Sequence, residues 1–201
     1  MLKNTLIKPI IPLFLFILIF ACSKDEDPEP ANEEEVITLV TLEVTKAGSS
    51  ETITYNFEVE GHAHDDEDDD DDHDGHEGEH AEIELEPNSS YNVSMLIYND
   101  TDPNDIENIT LEVIEEADEH QVFYAITDEL SGFSIASASN DNSDSDGNPL
   151  FLKTTWTTTG ETSGDVVSYL IHEPTSKTGS TRNDFAGATD FEIEFEVHVE
   201  E

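Results

Sequence analysis

Between Glu51 and Glu60 every second residue is apolar: Ile53, Tyr55, Phe57 and Val59 alternate with polar groups. The same period of two returns from Phe191 to Val199, where Phe191, Ile193, Phe195, Val197 and Val199 alternate with Glu192, Glu194, Glu196 and His198. Successive side chains of a strand point to opposite faces, so such a pattern suits a half-buried β-strand and no helix. Less regular runs of the same kind occur at 36–45, 81–85, 91–98, 121–127, 133–136, 150–157 and 166–172. Turn-forming clusters separate them, including Ala47 to Ser50, Asp146 to Pro149, Thr159-Gly160 and Ser163-Gly164. Short strands punctuated in this way predict a mainly β fold, a single antiparallel immunoglobulin-like β-sandwich over residues 36–201.

One stretch departs from the pattern. From Asp105 to Glu119, Ile106, Ile109, Val113 and Ala117 fall at helical spacing, with Asp105 placed to cap and Glu107 in the first turn. Ile109, Leu111 and Val113 also alternate, so a strand competes; a helix of about three turns crossing between two strands is the preferred reading.

The start of the chain has the character of a targeting segment. Lys3 and Lys8 precede an apolar run from Ile10 to Phe20, broken only by Pro12. About eleven residues rising ~1.5 Å each fall short of a ~30 Å hydrocarbon core, which favours a secretory signal peptide over residues 1–21. Ile19-Phe20-Ala21-Cys22 resembles the lipobox of bacterial lipoproteins, and Cys22 is the one cysteine in the chain. The resemblance implies lipid attachment at Cys22 and anchoring in a bilayer, stable once two or three acyl chains are present. Ser23 to Pro30, with Lys24 followed by acids, is similar to the export signal that sends Bacteroidetes lipoproteins to the outer face of the outer membrane. Residues 22–35, acidic and proline-bearing without apolar periodicity, read as a disordered, flexible tether.

Charge removes whole classes of partner. The chain holds 49 Asp and Glu against 7 Lys and Arg, a formal net charge of −42. Seven cations cannot build the basic surface that nucleic acid requires, so no nucleic-acid partner is expected. Docking by charge on anionic lipid headgroups is excluded for the same reason.

The densest chemistry lies between Gly61 and His80. Five of the eight histidines (His62, His64, His73, His76 and His80) stand there among a run of acids that includes Asp65, Asp74, Glu77 and Glu79. Imidazole suits Zn, Cu and Ni, and carboxylates add oxygen donors, so four ligands for Zn²⁺ can be drawn from this loop in many ways. That favours metal capture over one rigid site. Without metal it would be only a solvated acidic linker. In composition the loop is similar to the His- and acid-rich loops of bacterial zinc-uptake proteins. A weaker calcium candidate is the acidic turn carrying Asp141, Asp144 and Asp146; Lys153 stands where an EF-hand would need its bidentate Glu. The remaining histidines read more plainly, His120 as a cap after an acidic helix end, His172 at a strand end and His198 on an outward strand face. No Gly-x-Ser-x-Gly, His-Glu-x-x-His or phosphate-cradling loop occurs, so no enzyme is expected.

The order of Val113 to Tyr124, Asp144 to Leu150, His172-Glu173-Pro174 and the closing acid-alternating strand resembles a family of flavobacterial lipoproteins labelled "type 1 periplasmic binding fold superfamily protein". That label implies two α/β lobes, whereas the strand-rich pattern of this chain predicts a sandwich. Together these features lead to the expectation of an outer-membrane lipoprotein, surface-exposed or facing the periplasm, that binds divalent metal, zinc foremost, and assists an outer-membrane transporter. The competing expectation is a non-catalytic structural or interaction sandwich.

Only eleven of the 49 acids lie between His62 and His80, so most of the acidity coats the body of the protein. Self-repulsion of that coat is screened by salt. The melting temperature is therefore expected to rise as salt increases from roughly 10 mM to 500 mM; a flat dependence would refute the idea.

Overall fold

A computed structural model of the chain describes residues 35–59 and 82–201. Nine strands and two short helices follow in the order β1 (Leu39–Lys46), β2 (Thr52–Glu58), β3 (Glu82–Leu85), β4 (Ser90–Tyr98), α1 (Ile109–Glu115), β5 (His120–Ile126), β6 (Phe133–Ser137), β7 (Lys153–Thr158), β8 (Thr162–His172), α2 (Arg182–Phe185) and β9 (Ala188–Val199). They form two sheets, a five-stranded one in the order β2-β1-β4-β7-β6 and a four-stranded one in the order β3-β9-β8-β5. Each strand that alternation marked in the sequence is present.

The sheets meet through aromatic side chains from their inner faces. Trp156 of β7 is fully buried and stacks on Phe195 of β9, with ring centroids 5.8 Å apart and planes 6° from parallel. Phe133 meets Trp156 edge-on at 5.4 Å, and Phe57 of β2 packs against Phe195 at 5.5 Å. The indole N–H donates to Thr154 Oγ1 at 2.9 Å, so the buried ring carries no unsatisfied donor.

Three details depart from the sequence reading. The sandwich is not wholly antiparallel, because β3 runs parallel to β9. Five strands, β4 to β8, lie between these two in sequence, so no hairpin imposes a direction, and Glu200 N–H extends the pairing to Leu85 C=O at 3.0 Å. Ile53 is half exposed although β2 alternates perfectly; β2 is an edge strand, and its inward side is fully covered only at Phe57. The helix expected over 105–119 is shorter, α1 spanning Ile109–Glu115. Asp105 does not cap it; Asn108 occupies that position and makes no side-chain cap bond. Glu107 is held extended by reciprocal backbone bonds with Asn99 of 2.9 and 3.0 Å, which denies the helix its first turn. Thr110 then ties α1 to β4, its Oγ1 accepting from Ile97 N–H at 2.7 Å and standing 3.2 Å from Ile97 C=O.

Truncating Trp156 or Phe195 to Ala should cost about 3–5 kcal/mol in denaturant unfolding, by cavity formation between the sheets. Trp156 is the one tryptophan in the chain. In Phe195→Ala its fluorescence reports the same event, circular dichroism follows Trp156→Ala, and a loss below about 1 kcal/mol for both variants would mean that the sheets do not pack there.

Candidate metal centre

At one end of the sandwich four ligand-bearing side chains converge: Glu35, His120, His172 and Asp190, with one ligand atom from each lying within 4.8 Å of the others. Each comes from a different element. His120 opens β5 and His172 closes β8, and antiparallel pairing sets these two residues directly opposite each other. Their rings tilt at 50° with centroids 4.9 Å apart. Glu35 enters from the segment just before β1.

Asp190 is brought in by a backbone irregularity. In the β8–β9 ladder Leu170 pairs with Phe191 but Ile171 pairs with Thr189, so Asp190 is the extra residue of a bulge. Strict alternation with Phe191, Ile193 and Phe195 would aim Asp190 outward alongside Glu192. The bulge re-aims it, and its side chain is only 4% exposed.

His120 Nε2 lies 3.3 Å from Glu35 Oε1 and 3.8 Å from Asp190 Oδ2, while His172 Nδ1 lies 3.5 Å from Asp190 Oδ1 and 4.0 Å from Glu35 Oε2. The His120 side chain is fully buried, and that of Glu35 nearly so. The 3.3 Å contact is at ion-pair distance but off hydrogen-bond geometry, leaving both Glu35 oxygens and His120 Nε2 buried without a hydrogen bond. On its other side His120 Nδ1 stands 3.2 Å from the carbonyl oxygen of Glu116, the C-cap residue just after α1. A carbonyl can only accept, so Nδ1 carries a proton and Nε2 is the nitrogen turned to the carboxylates, free to take a second proton or a metal ion, as an outer-shell contact orients a metal-binding imidazole.

The charges explain why such a cluster requires a cation or protons. Two buried carboxylates beside two neutral imidazoles would be a desolvated double negative charge, which is strongly unfavourable. Burial works against a charged His120, yet the Glu35 carboxylate beside it prevails and holds its pKa above the ordinary value. His120 in turn draws the Glu35 pKa below the ordinary value against the opposing effect of burial. Burial, reinforced by the negative charge of Glu35, raises the pKa of Glu112 on α1. The local potential is therefore negative, and the donor set can hold a metal ion.

The sequence-predicted positions fall in other places. Cys22, His62, His64, His73, His76, His80, Asp65, Asp74, Glu77 and Glu79 all lie outside the described residues. Glu35, assigned to the tether, instead belongs to the sandwich. Asp141 and Asp144 are occupied by the turn itself. Asp141 accepts from the amides of Phe151 (2.7 Å) and Lys153 (2.9 Å), and Asp144 from those of Asp146 (3.0 Å) and Asn148 (2.7 Å). Lys177 adds its ammonium 3.4 Å from Asp144, where a calcium ion would have to compete with it. With Asp146 exposed and Gly147 at φ 86°, this is an Asp-Gly turn, and the three acids are not among the described groups that converge on a common point. His198 does face outward, pairing with Glu196 at 2.7 Å and Glu82 at 3.5 Å.

In chelator-treated protein the Glu35–His120 pair yields a pH window. The raised His120 pKa contributes stability that is complete below the ordinary 6.5 and fades as pH rises through the folded value. The lowered Glu35 pKa contributes stability present above the ordinary 4.5 and lost as pH falls through its folded value. The stability advantage over Glu35→Gln should thus be greatest between pH 4.5 and 6.5 and shrink on both sides. Denaturant unfolding at pH 5.5 and 8 tests this (values flanking the upper edge of the window), and an advantage that does not change between them would contradict it.

No protein-family model, curated protein or solved structure matches the chain, so the chemistry of the cluster stands on its own geometry.

Proposed function

We propose that this protein is a lipid-anchored envelope protein that binds a divalent cation, zinc fitting best, in the cluster of Glu35, His120, His172 and Asp190. The observation that carries the reading is the convergence of two buried carboxylates and two imidazoles, one ligand atom from each within 4.8 Å of the others. Zinc bound at 2.0–2.1 Å by four ligands in a tetrahedron places neighbouring donors about 3.3 Å apart. With one ligand atom from each residue the four donors lie within 4.8 Å of one another, and contraction of the set brings them to that arrangement. Calcium would require six to eight oxygens, and two of the four donors here are imidazole nitrogens. Two carboxylates, two neutral imidazoles and one Zn²⁺ sum to zero charge, which removes the penalty of burying the acids.

Four protein ligands and no open position suit a structural or storage site better than a catalytic one. The His- and Asp-rich segment 61–80 then acts as a second, looser collector at the surface. The lipobox-like Ile19 to Cys22 supports anchoring close to the site, since Cys22 precedes Glu35 by only thirteen positions. In this reading the cation collected at the cell surface is passed to an outer-membrane transporter.

Calorimetric titration of Zn²⁺ into the detergent-solubilised chain should reveal a tight site and a weaker class. Combining Glu35→Gln with His120→Asn should weaken the tight site by more than roughly 100-fold, beyond the loss typical of outer-shell changes. Deleting residues 62–80 should remove the weaker class alone. An isotherm that the double substitution leaves unchanged would refute the buried site.

A further inference from the structure

His172 belongs to two convergent groups. Besides the buried cluster it joins Glu119 and Glu173, again with one ligand atom from each residue within 4.8 Å of the others. Glu119 and Glu173 are exposed, and His172 is buried. Of the buried cluster's side chains, His172 keeps the most solvent contact, at 10% exposure against 0% for His120, 3% for Glu35 and 4% for Asp190. The solvent face of the metal centre is therefore His172, and the two glutamates stand beside it.

The backbone fixes this arrangement. Glu173 N–H donates to Glu119 C=O at 2.7 Å, which sets the two acids side by side. Glu173 holds a positive φ of 47°, a conformation that L-residues rarely adopt. Gly187, at φ 71°, packs so closely that any side chain there would collide with the carbonyl oxygens of His172 and Glu173. Behind His172 wait the hydrogen-bond-free oxygens of Glu35 and Nε2 of His120. A hydrated cation meeting the exposed pair would exchange waters for carboxylate oxygens at the surface. It would then be drawn inward, since the buried set offers four donors and a site that needs positive charge.

We infer that Glu119, Glu173 and His172 form an entry site that takes a divalent cation from solvent and hands it, through His172, to the buried cluster. This rests on the metal-binding reading above and adds the route and the residues that set its rate. His172 is the ligand common to the outer and inner positions, and each glutamate is replaced by water-free donors as the ion passes. Exposed acids at the mouth of a negative site also raise the local concentration of the cation.

The test uses the full chain in detergent with His62, His64, His73, His76 and His80 changed to Asn, so that the loop does not compete. Stopped-flow uptake of Zn²⁺, and its release to a chelating dye, are measured with and without Glu119→Gln and Glu173→Gln. Both positions are exposed and both replacements keep shape. Uptake is expected to slow by roughly tenfold or more. Release should slow in proportion, leaving the equilibrium Kd within about threefold of the parent, since a gate alters both rates and not their ratio. Replacing the same pair by Lys should slow uptake further. Unchanged uptake would overturn the entry site, and so would a Kd that rises as much as uptake falls, because the glutamates would then belong to the final site. Absence of Zn²⁺ binding in the parent is a separate result, and it would overturn the buried centre itself.

Discussion

Two carboxylates enclosed with two imidazoles set the terms for one end of this sandwich. Buried negative charge of this kind is tolerated only with protons or a metal ion beside it, and everything around the cluster is consistent with that demand. β5, β8 and β9 of the four-stranded sheet contribute three of the groups, while the fourth arrives from the segment leading into β1 of the other sheet. The same residues therefore link the layers polar-to-polar at one end, where Trp156 and Phe195 join them by stacking in the interior. Lys177, one of the few cations in the chain, completes that end by donating to the carbonyl oxygens of Ala117 and His120.

Much of the fold was legible because period-two alternation is a local property that survives without knowledge of partners. The strands ending in Glu58 and Val199 could be read directly, and so could the turns between others. The length of α1 could not be read, because the backbone bonds between Asn99 and Glu107 that shorten it join residues whose pairing only the tertiary structure determines. The parallel partnership of β3 and β9 was hidden for the same reason.

The candidate metal centre was almost invisible in the sequence, and each of its four residues was obscured differently. His120 and His172 stand 52 positions apart and become neighbours only through the β5–β8 register. Glu35 closes an acidic run that resembles a solvated tether, with nothing to separate it from Glu33 and Glu34. Asp190 has the parity of an outward residue, and a bulge reverses it. The one available signal was that His120 and His172 each have a Glu on one side and a strand run on the other (beginning at Gln121 and ending at Ile171), a mirrored pair that strand pairing could superpose. The conspicuous histidines of 61–80 drew attention because density is visible in a sequence and convergence is not.

The position of Glu35 has a mechanical meaning. Among the described residues, the first backbone bond from this segment to the five-stranded sheet is Thr38 N–H to Tyr98 C=O, and Glu35 precedes it. Tension arriving along the chain from its N-terminal side would be met by the Glu35 carboxylate before it reached any rung of the β ladder. Occupied by a metal ion, the cluster would be a strain relief, sparing β1 from being peeled residue by residue. Empty, it would pass the pull straight to the sheet.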